Sequence, residues 1–497
     1  SVRHVLMGDF PPNPDQAKVI SSSEEEILVL AGAGTGKTTT MVARYGELVK
    51  NRGLEPRQIL AITYTDKAAG ELRDRIREML GKQTENRNAP EQDVDLKESP
   101  AAVSMSNVWV GTFHAVCMRI LKAWPVEAEI DPGFTIIDEV NSATLRAAAF
   151  SEALETLRKD PDKAPKVEEI VGVLKENSLR EAIFFTYDEL RSRGSRQPRL
   201  PKDFKRVKEY PSSQVSRLLC LGKEVHPTKD KWQSRQAETL ETLVRLEAEG
   251  RLPGFDDIGS LEFTFAQADG AAAELVDLLP KVQRDLASFE FADLYRELFS
   301  DLLEAFDESY SRKKASRSTL DYEDLQLFTV ELLENREEIR RSYLSRFREV
   351  MVDEFQDTNP LQSKLVNLLV NRPDDPCSVP DQPRTTLVTV GDEMQSIYRF
   401  RHADVQLIRD RSADSQVTNY ALARNFRSSP TVIEAVNEIG GKLRKQVRPH
   451  EEFPDLIAAQ KADGKQAVSL LLTSDKGWKP LDLGEMARPV PDDLGSK

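Results

Sequence analysis

The residues best placed to do chemistry are Lys37 and Thr38, which close the run Ala31-Gly32-Ala33-Gly34-Thr35-Gly36-Lys37-Thr38. Glycines let a turn point its backbone N–H groups at phosphate oxygens. A lysine at the end of that turn reaches the β- and γ-phosphates, and the next hydroxyl can ligate Mg²⁺. Ala31 stands where the strict pattern has glycine, so the run misses it by one residue, and a glycine-rich turn without a ligand is the bland alternative. The chemistry implied is nucleotide binding, with ATP and Mg²⁺ as the expected cofactors.

An acidic pair, Asp353-Glu354, follows Val350-Met351-Val352. Alone, such a pair is a weak signal. Downstream of a phosphate loop it divides two tasks, Asp353 holding Mg²⁺ and Glu354 orienting and deprotonating a water, which implies ATP hydrolysis. A third group is Gln395-Ser396-Ile397-Tyr398-Arg399-Phe400-Arg401. Gln395 can sense a γ-phosphate, and alternating aromatics and arginines suit a single strand whose bases stack while its phosphates meet charge. The competing reading is a strand with buried aromatics.

These groups need elements to hold them. Ile27–Leu30, Ile59–Thr63, Val350–Val352 and Thr386–Val390 are short, apolar, β-branched runs, each ending at a polar cluster. Separated by helical patterns, they predict parallel strands of an α/β sheet with the chemistry at their C-terminal ends. A helix is expected from Thr39 to Lys50. Between about Leu121 and Thr319 the segments Asn141–Arg158, Ala237–Glu249, Ala271–Leu286 and Phe291–Tyr310 are amphipathic with few strand signals, predicting a helical insertion. Lys82–Ser106, Gly194–Pro201 and Asn371–Pro383 read as loops.

At 497 residues the chain exceeds one ordinary core, and about 150 residues per domain suggests roughly three domains. No apolar run nears the roughly 18 residues of a membrane span, and Met7-Gly8-Asp9-Phe10-Pro11-Pro12 interrupts any leader-like core. A soluble, cytoplasmic chain with no membrane partner is expected. Cys117, Cys220 and Cys377 are odd in number and far apart, which argues against a disulfide framework or a CxxC metal site. A net charge of −14 disfavours nucleic acid on average, yet Arg191–Lys208 has eight basic residues against one acid. That stretch reads either as a local surface for duplex DNA or as a solvated loop face.

Taken together, the segments resemble the ordered motif set of superfamily-one helicases of the UvrD, Rep and PcrA type, with similarity to the RecB and AddA proteins of helicase–nucleases. Pro14-Asp15-Gln16 resembles the glutamine segment that reads adenine. Thr63-Tyr64-Thr65-Asp66-Lys67-Ala68-Ala69 and Gly111-Thr112-Phe113-His114 resemble segments that contact single-stranded DNA. Leu320-Asp321-Tyr322-Glu323-Asp324-Leu325 resembles the segment leading into the acidic motif, and Leu422-Ala423-Arg424-Asn425-Phe426-Arg427-Ser428-Ser429 the one whose arginine reaches the γ-phosphate. The resemblance runs from about Pro14 to Gly440. Tyr64 stands where the family often has Phe, Phe400 where it often has Trp, and His402 where it often has Gly; aromatic exchanges keep stacking intact.

The resemblance implies a RecA-like sheet with a large helical insertion and the start of a second RecA-like domain. The expected boundaries are 1–120 and 320–415 for the first core, 121–319 for the insertion, 416–475 for the start of the second core, and 476–497 for a poorly ordered or truncated tail. It implies an ATP-dependent 3′–5′ DNA helicase or translocase, stimulated by single-stranded DNA and acting at duplex junctions. Lys37, Glu354, Gln395 and Arg427 would carry hydrolysis. Gln16, Ala31, Gly32, Ala33, Gly34, Thr35, Gly36, Lys37, Thr38, Thr39 and Phe426 would bind nucleotide, and Thr38 and Asp353 the metal. Thr63, Tyr64, Thr65, Phe113, His114, Tyr398, Phe400 and Arg401 would meet DNA. The family's later motifs and a nuclease-like metal cluster have no counterpart before Lys497. The chain is therefore expected to be an incomplete motor, or else a non-motor DNA-binding or assembly component whose ATP site a partner protein completes.

Overall fold

The computed structural model describes residues 12–81, 108–200, 211–225, 234–251, 253–263, 270–380, 382–447 and 455–460. The expected tail at 476–497 and the whole of the loop 82–106 lie outside them. The chain forms two compact units, one from the stretches up to Val116 and from Leu333 onward, the other from Cys117–Leu332.

The first unit is built on six parallel strands: β1 (Glu26–Ala31), β2 (Ile59–Thr63), β3 (Trp109–Thr112), β6 (Glu349–Val352), β7 (Thr386–Gly391) and β8 (Thr418–Leu422). They are ordered β3-β2-β6-β7-β1-β8. The four predicted strands are present, each within a residue of its expected end. β2 and β6 are buried along their whole length, as parallel strands covered on both faces must be. On one face Ile27, Val29, Ile59, Ala61, Met351 and Val388 share a core with Met41, Val42 and Tyr45 of helix α2 (Lys37–Lys50) and with Leu72, Ile76 and Met79 of α3 (Asp66–Gly81). Helix α1 (Pro14–Ser21) starts in a capping box made by Asn13 and Gln16. A buried ion pair pins α2 to the start of β6: Arg44 Nε lies 2.5 Å from Glu349 Oε1, and the same guanidinium donates to the carbonyls of Val19 and Ser22.

Because the ladders are parallel and in register (Leu30 opposite Gly391, Ala31 opposite Leu422, Ile62 opposite Val352, Thr63 opposite Thr112), all six C-terminal ends fall on one edge. That edge therefore gathers Gly32–Thr38, Tyr64, Phe113, Asp353, Asp392 and the segment after Leu422. Residues 418–422, which fall in the expected start of a second core, add β8 to the first sheet beside β1. A short separate ladder pairs β9 (Arg424–Asn425) with β10 (Ile457–Ala458), followed in space by the helix Pro430–Val447.

Among its described residues the second unit is helical apart from the two-residue ladder of β4 (Thr135–Ile136) with β5 (Thr319–Leu320). Its helices include Glu139–Arg158, Glu176–Ser192, Ser234–Glu249, Gly270–Leu294 and Arg296–Ala315, the last two separated at Tyr295 rather than near Phe291. One core forms around Phe150, Tyr187, Phe306 and Tyr310, another around Leu218, Leu243, Leu275 and Leu286. In its described part the predicted basic surface at 191–208 is largely ion-paired, with only Arg191 withdrawn from solvent. Arg191 is buried and bridges Asp321 and Asp324, while Arg193, Arg196 and Arg199 pair with Glu189, Glu331 and Glu304. Residues 201–208 lie outside the described set. The three cysteines are free thiols, with Cys117 pushed up to about 12 by burial. Among the described residues no helix is long and apolar enough to cross a membrane.

Candidate active site

The loop between β1 and α2 has the geometry its glycines allow. Gly34 and Gly36 sit at φ +72° and +85°, in the left-handed region that side chains avoid. Space forbids a side chain as well: a Cβ on Gly34 would lie 2.7 Å from Asn425 Nδ2, and one on Gly36 2.9 Å from Gln16 Nε2. Ala31 is buried as the last residue of β1, so only a small side chain is asked of it. Thr35, fully buried, donates from Oγ1 to the Gly32 carbonyl and holds the turn closed. Ala33 is exposed at the tip. Helix α2 begins at Lys37 with no side chain capping its N-terminus, and Thr38 and Thr39 lie in its first turn. The dipole and free amides there suit an anion.

Gln16 lies against this loop. Its Nε2 donates to the Thr35 carbonyl at 3.1 Å and its Oε1 accepts from Asn13 N. An amide has two hydrogens and two lone pairs, so one of each is left over, which is what pairing with an adenine edge would use.

Across the loop, Lys37 Nζ lies 2.7 Å from Glu354 Oε2. Glu354 itself adopts φ +51°, a left-handed conformation costing on the order of 1–3 kcal/mol that recurs at functional sites. Next to it, Asp353 is buried and accepts from Glu354 N at 3.0 Å. Burial first, then the neighbouring Glu354 charge, push the Asp353 carboxyl up to about 6, while Lys37 opposes them. A buried acid short of positive charge, with the Thr38 hydroxyl as a second hard oxygen donor, fits Mg²⁺ by donor type.

Asn425, which motif reasoning passed over, joins the later segment to the phosphate loop. Its Nδ2 donates to the Ala33 carbonyl at 2.6 Å, and its Oδ1 accepts from the backbone N–H groups of Arg427 and Ser428. Phe426 N donates to the Gly34 carbonyl at 2.8 Å. Arg427 thus sits on a turn tied directly to the loop, and its Cβ would lie 2.8 Å from a Cβ on Gly34.

After β7 the chain makes two 3-10 turns, Glu393–Gln395 and Arg399–Arg401, rather than a strand with buried aromatics. Gln395 Nε2 donates to Asp392 Oδ2 at 2.7 Å. Phe400 is 71% exposed. Tyr64 stacks on Tyr398 with ring centroids 5.2 Å apart, Tyr398 lies 5.8 Å from Phe400, and the Arg401 guanidinium covers both Tyr398 and Phe400. Burial raises the Tyr64 hydroxyl above its ordinary range, opposed by a hydrogen bond from Arg401. His402 ends the second turn at φ +62°, which explains a position where glycine is common in the resembled family.

Two of the expected DNA contacts are buried. Phe113, the first residue of helix α4 (Phe113–Ala123), is 3% exposed and packs in the core. Thr63 is 1% exposed and spends its hydroxyl on the Thr65 carbonyl. Thr65 is exposed and accepts from Ala68 N at the start of α3. His114 is half-buried, and burial lowers its basicity against the opposing charge of Asp66.

The sequence profile of the UvrD/REP helicase N-terminal domain matches residues 12–416. Among curated proteins the chain is similar to an ATP-dependent helicase/nuclease subunit from Streptococcus sanguinis (strain SK36), 27% identical over 501 residues, covering 86% of this chain and 39% of the relative. It is also similar to the exonuclease/helicase subunit RexA of Streptococcus pneumoniae serotype 4, 27% identical over 492 residues (87% and 39%), and to an ATP-dependent helicase/nuclease subunit from Listeria welshimeri, 27% over 496 residues (86% and 39%). The chain thus spans about two-fifths of the length of these relatives. With the phosphate loop, the acidic strand end and the aromatic turn all on one sheet edge, the match covers the whole of that edge up to β8, and the chain belongs to the UvrD/REP helicase family.

Proposed function

We propose that this chain is the ATP-hydrolysing first core of a DNA helicase or translocase that moves 3′ to 5′ on single-stranded DNA. The observation that carries the reading is the Lys37–Glu354 pair, which joins the phosphate loop after β1 to the acidic end of β6, beside the stacked rings of Tyr64 and Tyr398. Thr38 and Asp353 would hold Mg²⁺, which when bound neutralises phosphate charge. Lys37 then turns from Glu354 to phosphate oxygens, and the freed Glu354 carboxylate orients a water and takes its proton. Arg427 approaches the same phosphates from the turn that Asn425 ties to Ala33. Gln16, through its spare donor and acceptor, reads the base. Tyr64, Tyr398, Phe400 and Arg401 form the single-strand surface by stacking and charge. A chain acting on genomic DNA would work in the cytoplasm.

A second reading is favoured by the names of the relatives, which are subunits of helicase/nucleases. In it the chain binds DNA and completes its ATP site only with a partner protein. The deciding experiment is ATP hydrolysis with and without single-stranded DNA for wild type and Lys37→Ala. The motor reading expects DNA to raise the wild-type rate and the substitution to lower it by about 10²–10³-fold. Equal rates in all four conditions overturn it for this chain. Duplexes carrying a 3′ or a 5′ tail then test polarity.

A further inference from the structure

Gln356 is 1% exposed, and its side-chain amide and backbone carbonyl are used between the two halves of the site. Its Nε2 donates to Glu354 Oε2 at 2.8 Å and to Asp357 Oδ2 at 3.2 Å. Its Oε1 accepts from Asp392 N at 2.9 Å, and its backbone carbonyl accepts from Ser396 Oγ at 3.2 Å. Side chain and backbone together thus grip both ends of the Asp392–Ser396 turn that carries Gln395 and leads into Tyr398. The turn is shaped to receive it: a Cβ on Gly391 would lie 2.6 Å from Gln356 Oε1 and 3.3 Å from Gln356 N, although Gly391 has no unusual backbone angle. A side chain there would have to push the end of Gln356 aside.

We propose that Gln356 is a positioning residue that transmits the state of Glu354 to the DNA-stacking turn. Glu354 Oε2 is shared by Lys37 Nζ and Gln356 Nε2. When Lys37 leaves for phosphate, the amide is the contact that stays, so any movement of the carboxylate pulls on Gln356 and through Oε1 on the Asp392 backbone. Only an amide serves at both ends. A carboxylate at 356 keeps the acceptor for Asp392 N and repels Glu354, and an alkyl chain serves neither. This inference rests on the proposed ATP- and DNA-binding roles of the same edge.

The test uses the full chain with Gln356→Leu, Gln356→Glu and Gly391→Ala, the last displacing Gln356 without altering any group at the phosphates. Two quantities are measured: kcat and KM for ATP with saturating oligothymidylate, and the factor by which a non-hydrolysable ATP analogue changes the Kd of that oligonucleotide. The expected result is a fall in DNA-stimulated kcat of about tenfold or more, with KM for ATP and nucleotide-free DNA affinity within about threefold of wild type. The analogue's effect on DNA affinity should shrink toward unity in all three variants, because coupling is a free energy separate from either affinity. Should Gln356→Leu not fold, Gln356→Glu and Gly391→Ala decide. Variants that keep the wild-type kcat and coupling factor overturn the inference, as does a wild type whose DNA affinity the analogue leaves unchanged. A wild type that neither hydrolyses ATP nor binds DNA overturns the proposed function instead.

Discussion

Lys37 Nζ and Glu354 Oε2 are 2.7 Å apart, so the cation proposed to meet phosphate and the carboxylate proposed to activate water hold each other across the edge of the sheet. Each is kept in place and kept occupied. Nucleotide binding has to separate them, and the consequence can be measured.

Replacing Glu354 with Gln removes the charge that competes for Lys37. The expected outcome is a loss of kcat of about 10²–10⁴-fold, with ATP affinity equal to or tighter than wild type. Steady-state hydrolysis alongside titration with a fluorescent ATP analogue checks both halves. Retention of wild-type kcat would remove Glu354 from the hydrolytic role.

Two phenylalanines from the expected DNA set should behave in opposite ways. Phe400→Ala removes an exposed ring and should weaken oligonucleotide binding by about 1–3 kcal/mol while leaving Tm nearly unchanged. Phe113→Ala empties a core position and should lower stability by about 3–5 kcal/mol, with no change in the DNA affinity of the folded protein. Binding isotherms and denaturant melts on the same two variants separate these effects.

The Arg44–Glu349 pair ties α2 to β6 from inside the core. Arg44→Met leaves Glu349 buried and unpaired, and should cost about 3–5 kcal/mol in denaturant unfolding. Adding Glu349→Leu should recover most of that loss. A single variant as stable as wild type would mean that the pair contributes nothing.

Glu323 in the helical unit has Oε2 buried without a hydrogen-bond partner, and burial pushes its carboxyl up to about 7. The folded state therefore holds this proton more tightly than the unfolded chain does. The group's stabilising contribution is full below about pH 4.5 and fades as pH rises to 7, beyond which it is flat. Glu323→Gln should be more stable than wild type at pH 8, by on the order of 3 kcal/mol, and indistinguishable near pH 4.5. Parallel unfolding curves at the two pH values test this, and an equal difference at both would rule out the titration.

The strands that carry chemistry were legible because each is a short apolar run stopped by a functional cluster, as at Leu30 and Val352. β3 and β8 lacked that signature. Trp109–Thr112 is four residues long with an internal glycine, and Thr418–Leu422 is an edge strand whose alternate residues face outward. Motif resemblance located Phe113 and Thr63 without telling which way their side chains face, and both face the core. Gln356 and Asn425 escaped notice for a different reason. Each uses one end of its amide locally and the other on a backbone atom far away in sequence, and that distant bond leaves no spacing to read.

The Tyr64–Tyr398 stack sets an entry condition for whatever lies on this edge. Any base that covers the inner face of either ring must first part the two, giving up a ring–ring contact of about 0.5–1.5 kcal/mol. Broad purine faces repay that exchange more readily than small pyrimidines. If this edge is the proposed single-strand surface, the pair would act as a threshold that favours strong stackers.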